Sequence, residues 1–391
     1  MISLKLKPRE ERRLRAGHLW VYSNEIDTPD NFRQIEPGTL CRVEDSRGKP
    51  LGIGYVNPHA LLTVRLLTGS AHAQIDSEWF ARRIQSALAL RERLFDAPYY
   101  RLVFGESDGL PGLVVDRYGD VLAVQIATAG MERLKAEILA ALQSVLAPRG
   151  IWLRNDVPMR ETEGLPLHTE AIGEVPEQLE VLESGVRFRV PLREGQKTGW
   201  FFDQRGNRDR LAPYARGARV LDVFSYAGGW GLRALAAGAA SALCLDRSET
   251  ALAAAQASAQ LNQLPLETLQ ADAHEGLKQL RADGRTFDLI VVDPPALIKR
   301  KKDFDAGFEH YAALNRAALQ LLAPDGLLVS CSCSHHLAET DLQRLLLREA
   351  RTAQRRLQIL EQGGQGVDHP VHPAIPETRY LKVFFCRALQ G

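Results

Sequence analysis

The feature that most constrains the fold is a series of short apolar runs in the second half of the chain. Four of these runs end at or near an acidic residue: Asp222, Asp246, Asp272 and Asp293. Segments with helical character, such as residues 249–262, separate the runs. Short apolar strands that alternate with helices are typical of a parallel sheet, so the pattern predicts a doubly wound α/β domain.

The last two apolar segments break this alternation. Residues 357–360 and 380–387 have strand character, but no clear crossover helix lies between them. Parallel neighbours need a crossover connection, and we therefore expect these segments to form an antiparallel pair at one edge of the sheet.

The acidic residues predict a ligand site, because open α/β sheets bind ligands at the carboxyl ends of their strands. Asp246 ends the second run, where an acid typically binds a ribose diol. In the first turn, residues 224–229 (FSYAGG), glycines allow close approach of a ligand to the backbone. Asp272 would suit an adenine amine or a nearby polar group. Helix capping is the alternative for any single acid.

These features alone fit two cofactors, S-adenosylmethionine (AdoMet) and a nicotinamide dinucleotide. The sequence lacks GxGxxG, which weakens the dinucleotide interpretation.

Two motifs on later strands carry chemistry. Asp293-Pro294-Pro295 is a stiff turn that would aim polar groups at a planar ring. Related turns with a following aromatic residue grip the exocyclic nitrogen in amino-methylating enzymes, whereas Ala296 follows here. In SCSCSHH, Cys331 lies within the apolar run and is expected to pack. Cys333 lies at the strand tip, where a nucleophile would be placed. The Cys and His spacing is not a usual zinc pattern, so we predict no metal.

Local charge, not net charge, would have to bind a polyanion, because the chain carries a net charge of only +1. Lys299-Arg300-Lys301-Lys302 is an unbroken basic run next to the predicted site. We predict that it contacts phosphates, with a solvated loop as the alternative.

The first half of the chain predicts two smaller domains. Residues 1–70 contain short β segments with Gly and Pro between them, which indicates a small β barrel. Residues 71–190 mix strands with amphipathic helices over 77–97 and 131–146. We therefore expect domains at 1–70, 71–190 and 191–391. The basic start of the chain lacks the apolar block of a signal peptide, and we expect a cytoplasmic protein without a transmembrane segment.

Several longer motifs together resemble one known family. They are HLWVYSNEI, RLVFGESDGLPGLVVDRYGD, EGQKTGWFFDQRGNR, LDVFSYAGG, VVDPPALIKRKKDF, SCSHH, DHP and ETRYLK. The chain resembles bacterial AdoMet-dependent 23S rRNA cytosine-5 methyltransferases of the RlmI and RlmO type over nearly its whole length. The resemblance implies an N-terminal PUA domain, a central α/β domain and a C-terminal Rossmann-like class I methyltransferase domain.

The resemblance also implies roles for individual residues. Cys333 would be the nucleophile, and Asp293 the acid of the fourth strand. AdoMet would be held by the first-turn residues and strand acids Asp222, Phe224, Ser225, Tyr226, Gly228, Gly229, Asp246 and Asp272. The motif residues Gln196, Lys197, Asp203, Gln204 and Arg205 would line the cofactor and substrate cleft. The partner would be 23S rRNA, and the resemblance leaves a homodimer open.

The chain departs from the wider group of RNA cytosine-5 methyltransferases at Ala296. Many of those enzymes have a second cysteine there, which serves in product release, so another base would remove the C5 proton here. His335 is a candidate for that base. Two other functions stay open: an exocyclic-amine RNA methyltransferase that uses Asp-Pro-Pro, and a non-catalytic RNA-binding assembly factor.

Overall fold

The computed structural model describes residues 1–193, 195 and 197–390, which form two compact units. The first contains Met1–Pro176, Gln196–Trp200 and Asp368–Thr378, and the second contains Glu177–Gly195, Phe201–Val367 and Arg379–Gly391. The predicted domain boundaries at residues 70 and 190 stay a prediction. Within the described residues, no helix is both long and apolar enough to cross a membrane.

The first unit begins with a five-stranded sheet in the order β1-β3-β4-β5-β2. Its elements are β1 (Ile2–Lys5), α1 (Glu11–Arg15), β2 (Trp20–Tyr22), β3 (Thr39–Glu44), β4 (Pro50–Val56) and β5 (Leu62–Thr68). A bridge between Leu6 and Ile26 joins the continuations of the two edge strands. The strands enclose an apolar cluster that includes Cys41 and Val64. This near-closed sheet agrees with the predicted small barrel.

A second five-stranded sheet, in the order β10-β9-β8-β7-β6, has its own core. Its elements are α2 (Ser77–Leu94), β6 (Tyr99–Phe104), β7 (Leu113–Tyr118), β8 (Val121–Ile126), α3 (Ala129–Arg133), α4 (Lys135–Leu146), β9 (Gly150–Asn155), α5 (Met159–Thr162) and β10 (His168–Gly173). The helix expected over 131–146 is interrupted, because Leu134 leaves helical geometry (φ −99°, ψ 17°) and buries its side chain in this core.

The second unit opens with a hairpin and continues into a seven-stranded sheet. The hairpin strands are β11 (Gln178–Glu183) and β12 (Val186–Pro191). The elements that follow are α6 (Arg205–Ala215), β13 (Arg219–Val223), α7 (Gly229–Ala236), β14 (Ser241–Asp246), α8 (Glu249–Asn262), β15 (Leu266–Gln270), α9 (Ala273–Ala282), β16 (Phe287–Val292), α10 (Phe304–Leu321), β17 (Leu322–Ser332), α11 (Glu339–Thr352), β18 (Arg355–Gly363) and β19 (Lys382–Gln390).

The strand order β15-β14-β13-β16-β17-β19-β18 confirms the doubly wound sheet. The first five strands of this order pair in parallel, and β19 runs antiparallel to both β17 and β18. The predicted antiparallel pair is therefore present, with β18 at the edge. The chain first runs outward from β13 to β15 and then returns to the other side of β13. This reversal creates the crevice in which such sheets bind ligands.

Alternation along the strands separates the two faces of the sheet. Leu221 and Leu243 pack into the apolar cluster formed with α9, α10 and α11. Asp222 and Cys244, the next residues along, point to α7 on the other face. A Cβ at Gly231 of α7 would lie 2.9 Å from the Cys244 sulfur. Glycine therefore lets α7 approach the sheet closely at the strand ends.

Candidate active site

The turn after β13 is bent by two non-glycine residues with left-handed backbone geometry. Phe224 has φ 64° and Tyr226 has φ 48°. The backbone N–H groups of Phe224 and Ser225 both donate to the carbonyl oxygen of Leu245, at 2.9 and 3.2 Å. Gly228 (φ 76°) then leads into Gly229, the first residue of α7. Such backbone outliers persist only where surrounding contacts hold them, and they concentrate at ligand sites.

Asp222 lies beneath this turn as the penultimate residue of β13, and its side chain is fully buried. Its Oδ2 accepts the backbone N–H of Gly231 at 3.0 Å. Burial raises the pKa of this carboxyl to about 7, from an ordinary value of 3.8. Its Oδ1 has no hydrogen-bond partner among the described residues. The carboxyl group thus supports the first turn of α7 from within the sheet.

Asp246 lies at the end of β14 and faces the same turn. Its Oδ2 accepts the backbone N–H of Tyr226, and its Oδ1 accepts that of Ser248, each at 2.9 Å. The side chain is half-buried. A carboxylate offers about four lone-pair sites, so these two bonds leave capacity for further hydroxyl donors.

Asp272 is exposed and lies two residues beyond the end of β15. It is the N-cap of α9, and its Oδ1 accepts the backbone N–H of His274 at 2.9 Å. The capping alternative from the sequence is thus present in the structure. Its role toward a cofactor stays a prediction.

Asp293 directly follows β16, and side-chain donors orient its carboxylate. Its Oδ2 accepts Nε2–H of Gln204 at 2.9 Å and Nε1–H of Trp230 at 3.1 Å. Gln204 is itself fixed, because its Oε1 accepts Nδ2–H of Asn207 at 2.8 Å. The sequence motif indicated Gln204, but it gave no role to Trp230. The indole lies in α7, which follows β13, and the pairing of β13 with β16 brings it close to Asp293.

Other residues of the same motif are anchored within the second unit. The Oδ2 atom of Asp203 accepts the hydroxyl of Tyr380 at 2.5 Å. Nε of Arg205 lies 3.5 Å from Oε2 of Glu183. Gln196, the remaining predicted cofactor residue, lies outside the described residues.

The two cysteines at the end of β17 differ in depth as predicted. Cys331 is fully buried inside the strand, and burial raises the pKa of its thiol well above the ordinary value. Cys333 follows the last strand residue and is half-buried. Its Sγ lies 3.9 Å from the carbonyl oxygen of Pro294. The thiol of Cys333 and the Asp-Pro-Pro turn are therefore neighbours.

A buried hydroxyl network that the sequence analysis missed holds the tip of β17. The hydroxyl group of Tyr311, on α10, lies 3.0 Å from Oγ of Ser332 and 2.9 Å from Oγ of Ser334. Ser334 Oγ also accepts the backbone N–H of Ile298 at 3.0 Å. The network ties the residues on either side of Cys333 to the loop after Asp-Pro-Pro. No local sequence signal marks Tyr311, which lies on a separate helix.

The basic run is exposed and begins directly after Ile298. The hydrogen bond between Ile298 and Ser334 therefore places the run beside the tip of β17. Arg300 pairs with Asp303 at 2.9 Å. Lys299, Lys301 and Lys302 form no ion pair with any described residue.

His335 and His336 are exposed, and their rings meet edge to face at 5.4 Å. In the part of the chain that the structure describes, no three His, Cys, Asp or Glu side chains are grouped to hold a metal ion.

Comparison with known proteins gives the class. Residues 4–69 match the model of a PUA-like domain, and residues 167–380 match that of an S-adenosylmethionine-dependent methyltransferase. The second match covers more than half of the chain. The strand order and the crevice described above agree with it, and they define an AdoMet-dependent methyltransferase with an N-terminal PUA-like domain.

Relatives of full length give the family within this class. Ribosomal RNA large subunit methyltransferase I of Erwinia tasmaniensis is 36% identical over 396 residues, covering 99% of this chain and 100% of that protein. The protein of the same name from Tolumonas auensis is 38% identical and covers 98% of both chains. At this identity and coverage, the chain belongs to the family of ribosomal RNA large subunit methyltransferase I.

Solved structures agree on the fold. A putative AdoMet-dependent methyltransferase from Streptococcus mutans has a TM-score of 0.83 at 22% identity, covering 99% of this chain and 100% of that one. A putative methyltransferase determined in complex with SAH has a TM-score of 0.84 at 23% identity, with the same coverage.

The residues of the crevice fit the cofactor of this class. A ribose diol needs hydrogen-bond acceptors, and Asp246 is half-buried with acceptor capacity remaining. The bent turn at Phe224 and Tyr226 presents backbone at the end of β13, where the nucleoside of a cofactor lies in such sheets.

Proposed function

We propose that this protein methylates C5 of a cytosine in ribosomal RNA and that Cys333 is the nucleophile. The observation that carries the proposal is the 3.9 Å contact between Cys333 Sγ and the carbonyl oxygen of Pro294. This contact places a thiol beside the acid-Pro-Pro turn at the crevice. The names of the full-length relatives support ribosomal RNA of the large subunit as substrate.

A thiol is needed to activate the base, because cytosine C5 is too poor a nucleophile to attack a methyl donor unaided. Addition of the Cys333 thiolate to C6 breaks the C5–C6 double bond and makes C5 nucleophilic. Bound AdoMet supplies an electrophilic methyl group. After transfer, a base removes the C5 proton, the C5–C6 double bond re-forms, and the thiolate leaves. Cysteine suits both steps, since it is a strong nucleophile and a good leaving group.

Asp293 would hold the base in place for this addition. Two N–H donors on Oδ2 fix the orientation of the carboxylate. This half-buried carboxylate is a hydrogen-bond acceptor, and in this proposal it accepts the N4 amine of cytosine. Gln204 and Trp230 then act through Asp293 as positioning residues.

The cofactor would be held along the strand ends. We assign Asp246 to the ribose hydroxyls, Asp272 to the adenine amine, and the turn 224–229 to backbone contacts. Asp222 supports that turn from beneath. Asp203, Gln204 and Arg205 belong to the wall of the same crevice in this proposal.

RNA would be held by phosphate contacts next to the thiol. Lys299, Lys301 and Lys302 offer exposed ammonium groups one loop away from Cys333, and Arg300 adds a guanidinium group. The PUA-like sheet supplies a second RNA-binding element. The target cytosine must be unstacked and flipped to reach the thiol.

A trapping experiment tests the nucleophile. Ribosomal RNA made with 5-fluorocytidine is incubated with AdoMet and the protein, and adducts are mapped by mass spectrometry. We expect an adduct at Cys333, because fluorine at C5 cannot leave as a proton does. Cys333→Ala should abolish the adduct and methyl transfer while AdoMet still binds, and Cys331→Ala is the matched control that keeps both. Methylation that survives Cys333→Ala would overturn the proposal.

A second function, methylation of an exocyclic amine, is favoured by the Asp-Pro-Pro turn alone. It needs no thiol and predicts full activity in Cys333→Ala. A non-catalytic assembly factor would fail to bind AdoMet in a calorimetric titration.

A further inference from the structure

We propose that Lys382 is a positioning residue for Cys333, whose ammonium group fixes the loop after the thiol and supplies a positive charge beside it. The inference rests on the proposed role of Cys333 as the nucleophile. None of the roles assigned above involves Lys382.

The sheet places Lys382 next to the thiol. In the antiparallel pair of β17 and β19, Lys382 is opposite Ser332, the residue directly before Cys333. Its side chain turns toward the loop beyond the strand. Nζ donates to the carbonyl oxygen of Ser334 at 2.7 Å and to that of Leu337 at 2.8 Å. The lysine thus ties two points of the loop after Cys333 to the neighbouring strand.

The burial of this lysine indicates a specific purpose. Lys382 is only 9% exposed, and lysines are rarely buried to this degree unless they are paired. Its hydrogen bonds go to neutral carbonyl groups, which do not compensate a buried charge as a carboxylate does. A thiolate at Cys333 would provide that compensation, so the ammonium group of Lys382 and the thiolate of Cys333 stabilise each other.

The charge of Lys382 changes near pH 8. Burial lowers the pKa of its ammonium group to about 8, and Arg379 also lowers it, whereas Cys333 and Glu339 raise it. The ammonium form dominates below this pH and is lost above it. A nearby cation favours the thiolate, which is the reactive form of cysteine.

The hydroxyl network at the tip of β17 is neutral. The hydroxyl of Tyr311 bonds Ser332 and Ser334, and burial raises its pKa to about 12, so it stays uncharged. Tyr311 and Lys382 therefore hold the same short segment, but Lys382 alone of these two contributes a charge. Because only Lys382 is charged, a variant that keeps its hydrogen-bond donors but removes its charge separates the electrostatic effect on Cys333 from support of the loop.

The test measures the reactivity of Cys333 directly. Full-length protein is alkylated with iodoacetamide between pH 6 and pH 10, and modification of Cys333 is followed by mass spectrometry. In Lys382→Gln, which keeps hydrogen-bond donors but removes the charge, we expect alkylation at pH 7 to slow about tenfold, as for a change of one pKa unit. The midpoint of its pH profile should move to higher pH. Lys278→Gln, at an exposed position of α9, is the control and should match the parent protein.

Methyl transfer should change in the same direction. We expect kcat of Lys382→Gln to fall about tenfold while KM for AdoMet stays unchanged, since only the thiolate fraction is reduced. Lys382→Met removes both charge and donors and should be slower still. An alkylation profile of Lys382→Gln that superimposes on that of the parent protein would overturn the inference.

The two proposals fail in different ways. If Cys333→Ala still methylates RNA, the proposed nucleophile is wrong, but the effect of Lys382 on thiol reactivity would remain measurable. If Cys333→Ala is inactive and Lys382→Gln leaves alkylation unchanged, the role of Lys382 alone is wrong.

Discussion

Replacing Tyr311 with phenylalanine tests whether the buried hydroxyl network holds the tip of β17. The change removes one hydroxyl and its contacts with Ser332 at 3.0 Å and Ser334 at 2.9 Å, all in the protein interior. A typical intramolecular hydrogen bond contributes about 0.5–1.5 kcal/mol, and the loss is larger when buried partners remain. We therefore expect Tyr311→Phe to lower the free energy of unfolding by about 2 kcal/mol.

The same substitution at Tyr214 is the matched control. Its hydroxyl donates to Oε1 of Glu361 at 2.6 Å, but both side chains are partly exposed and water can replace the lost partner. Tyr214→Phe should cost no more than about 1 kcal/mol. Urea unfolding followed by circular dichroism gives both values.

Activity provides the second measurement for Tyr311→Phe. A shift of about 1 Å at a reacting group can cost on the order of 100-fold in rate. We expect kcat to fall between about 10- and 100-fold, because Ser332 and Ser334 flank the thiol. Stability and kcat equal to those of Tyr214→Phe would show that the network does not position Cys333.

Three further predictions concern the cofactor, the RNA and the pH dependence. Asp246→Ala should weaken AdoMet binding about 10- to 100-fold in calorimetry, because hydrogen bonds to a charged group contribute about 1.5–3 kcal/mol. The control variant Asp288→Ala, at the opposite end of the sheet, should bind AdoMet normally. Unchanged affinity of Asp246→Ala would remove this residue from the site. A variant that neutralises the basic run Lys299-Arg300-Lys301-Lys302 should show a weaker salt dependence of RNA binding. The slope of log K against log salt concentration should decrease by up to about 0.7–0.9 for each lost phosphate contact. A slope equal to that of the parent protein would identify the run as a solvated loop. The folded protein binds the Asp222 proton more tightly than the unfolded chain, since its pKa is raised from 3.8 to about 7. The bound proton therefore contributes on the order of 4 kcal/mol to the free energy of unfolding below about pH 4, and this contribution is lost as the pH rises through 7. In urea unfolding, the free energy of unfolding should fall less from pH 4 to pH 7 for Asp222→Asn than for the parent protein. An equal fall in both proteins would contradict a buried carboxyl that binds a proton.

Local patterns were sufficient for much of the fold. Apolar runs and helical periodicity predicted the parallel strands, the edge pair and the long helix α2, because each depends mainly on neighbouring residues. The break at Leu134 was missed, since it follows from burial in a distant core. The short edge strand β10 carries no clear strand signal, because its residues are mostly exposed and lack the alternation that marks a half-buried strand.

By itself, the sequence determined the order of the strands and the identity of the polar groups at their ends. The positions of Asp293 and Cys333 could be predicted because each lies at a strand end, and strand ends can be recognised locally. Only the tertiary structure decided what surrounds them. Trp230 reaches Asp293 from a helix, and Tyr311 and Lys382 reach the residues around Cys333 from another helix and an antiparallel strand. These contacts arise through pairings between distant segments. Hydrogen bonds and charges act over a few ångströms of space, whatever the separation along the chain, and for that reason no local pattern could reveal them.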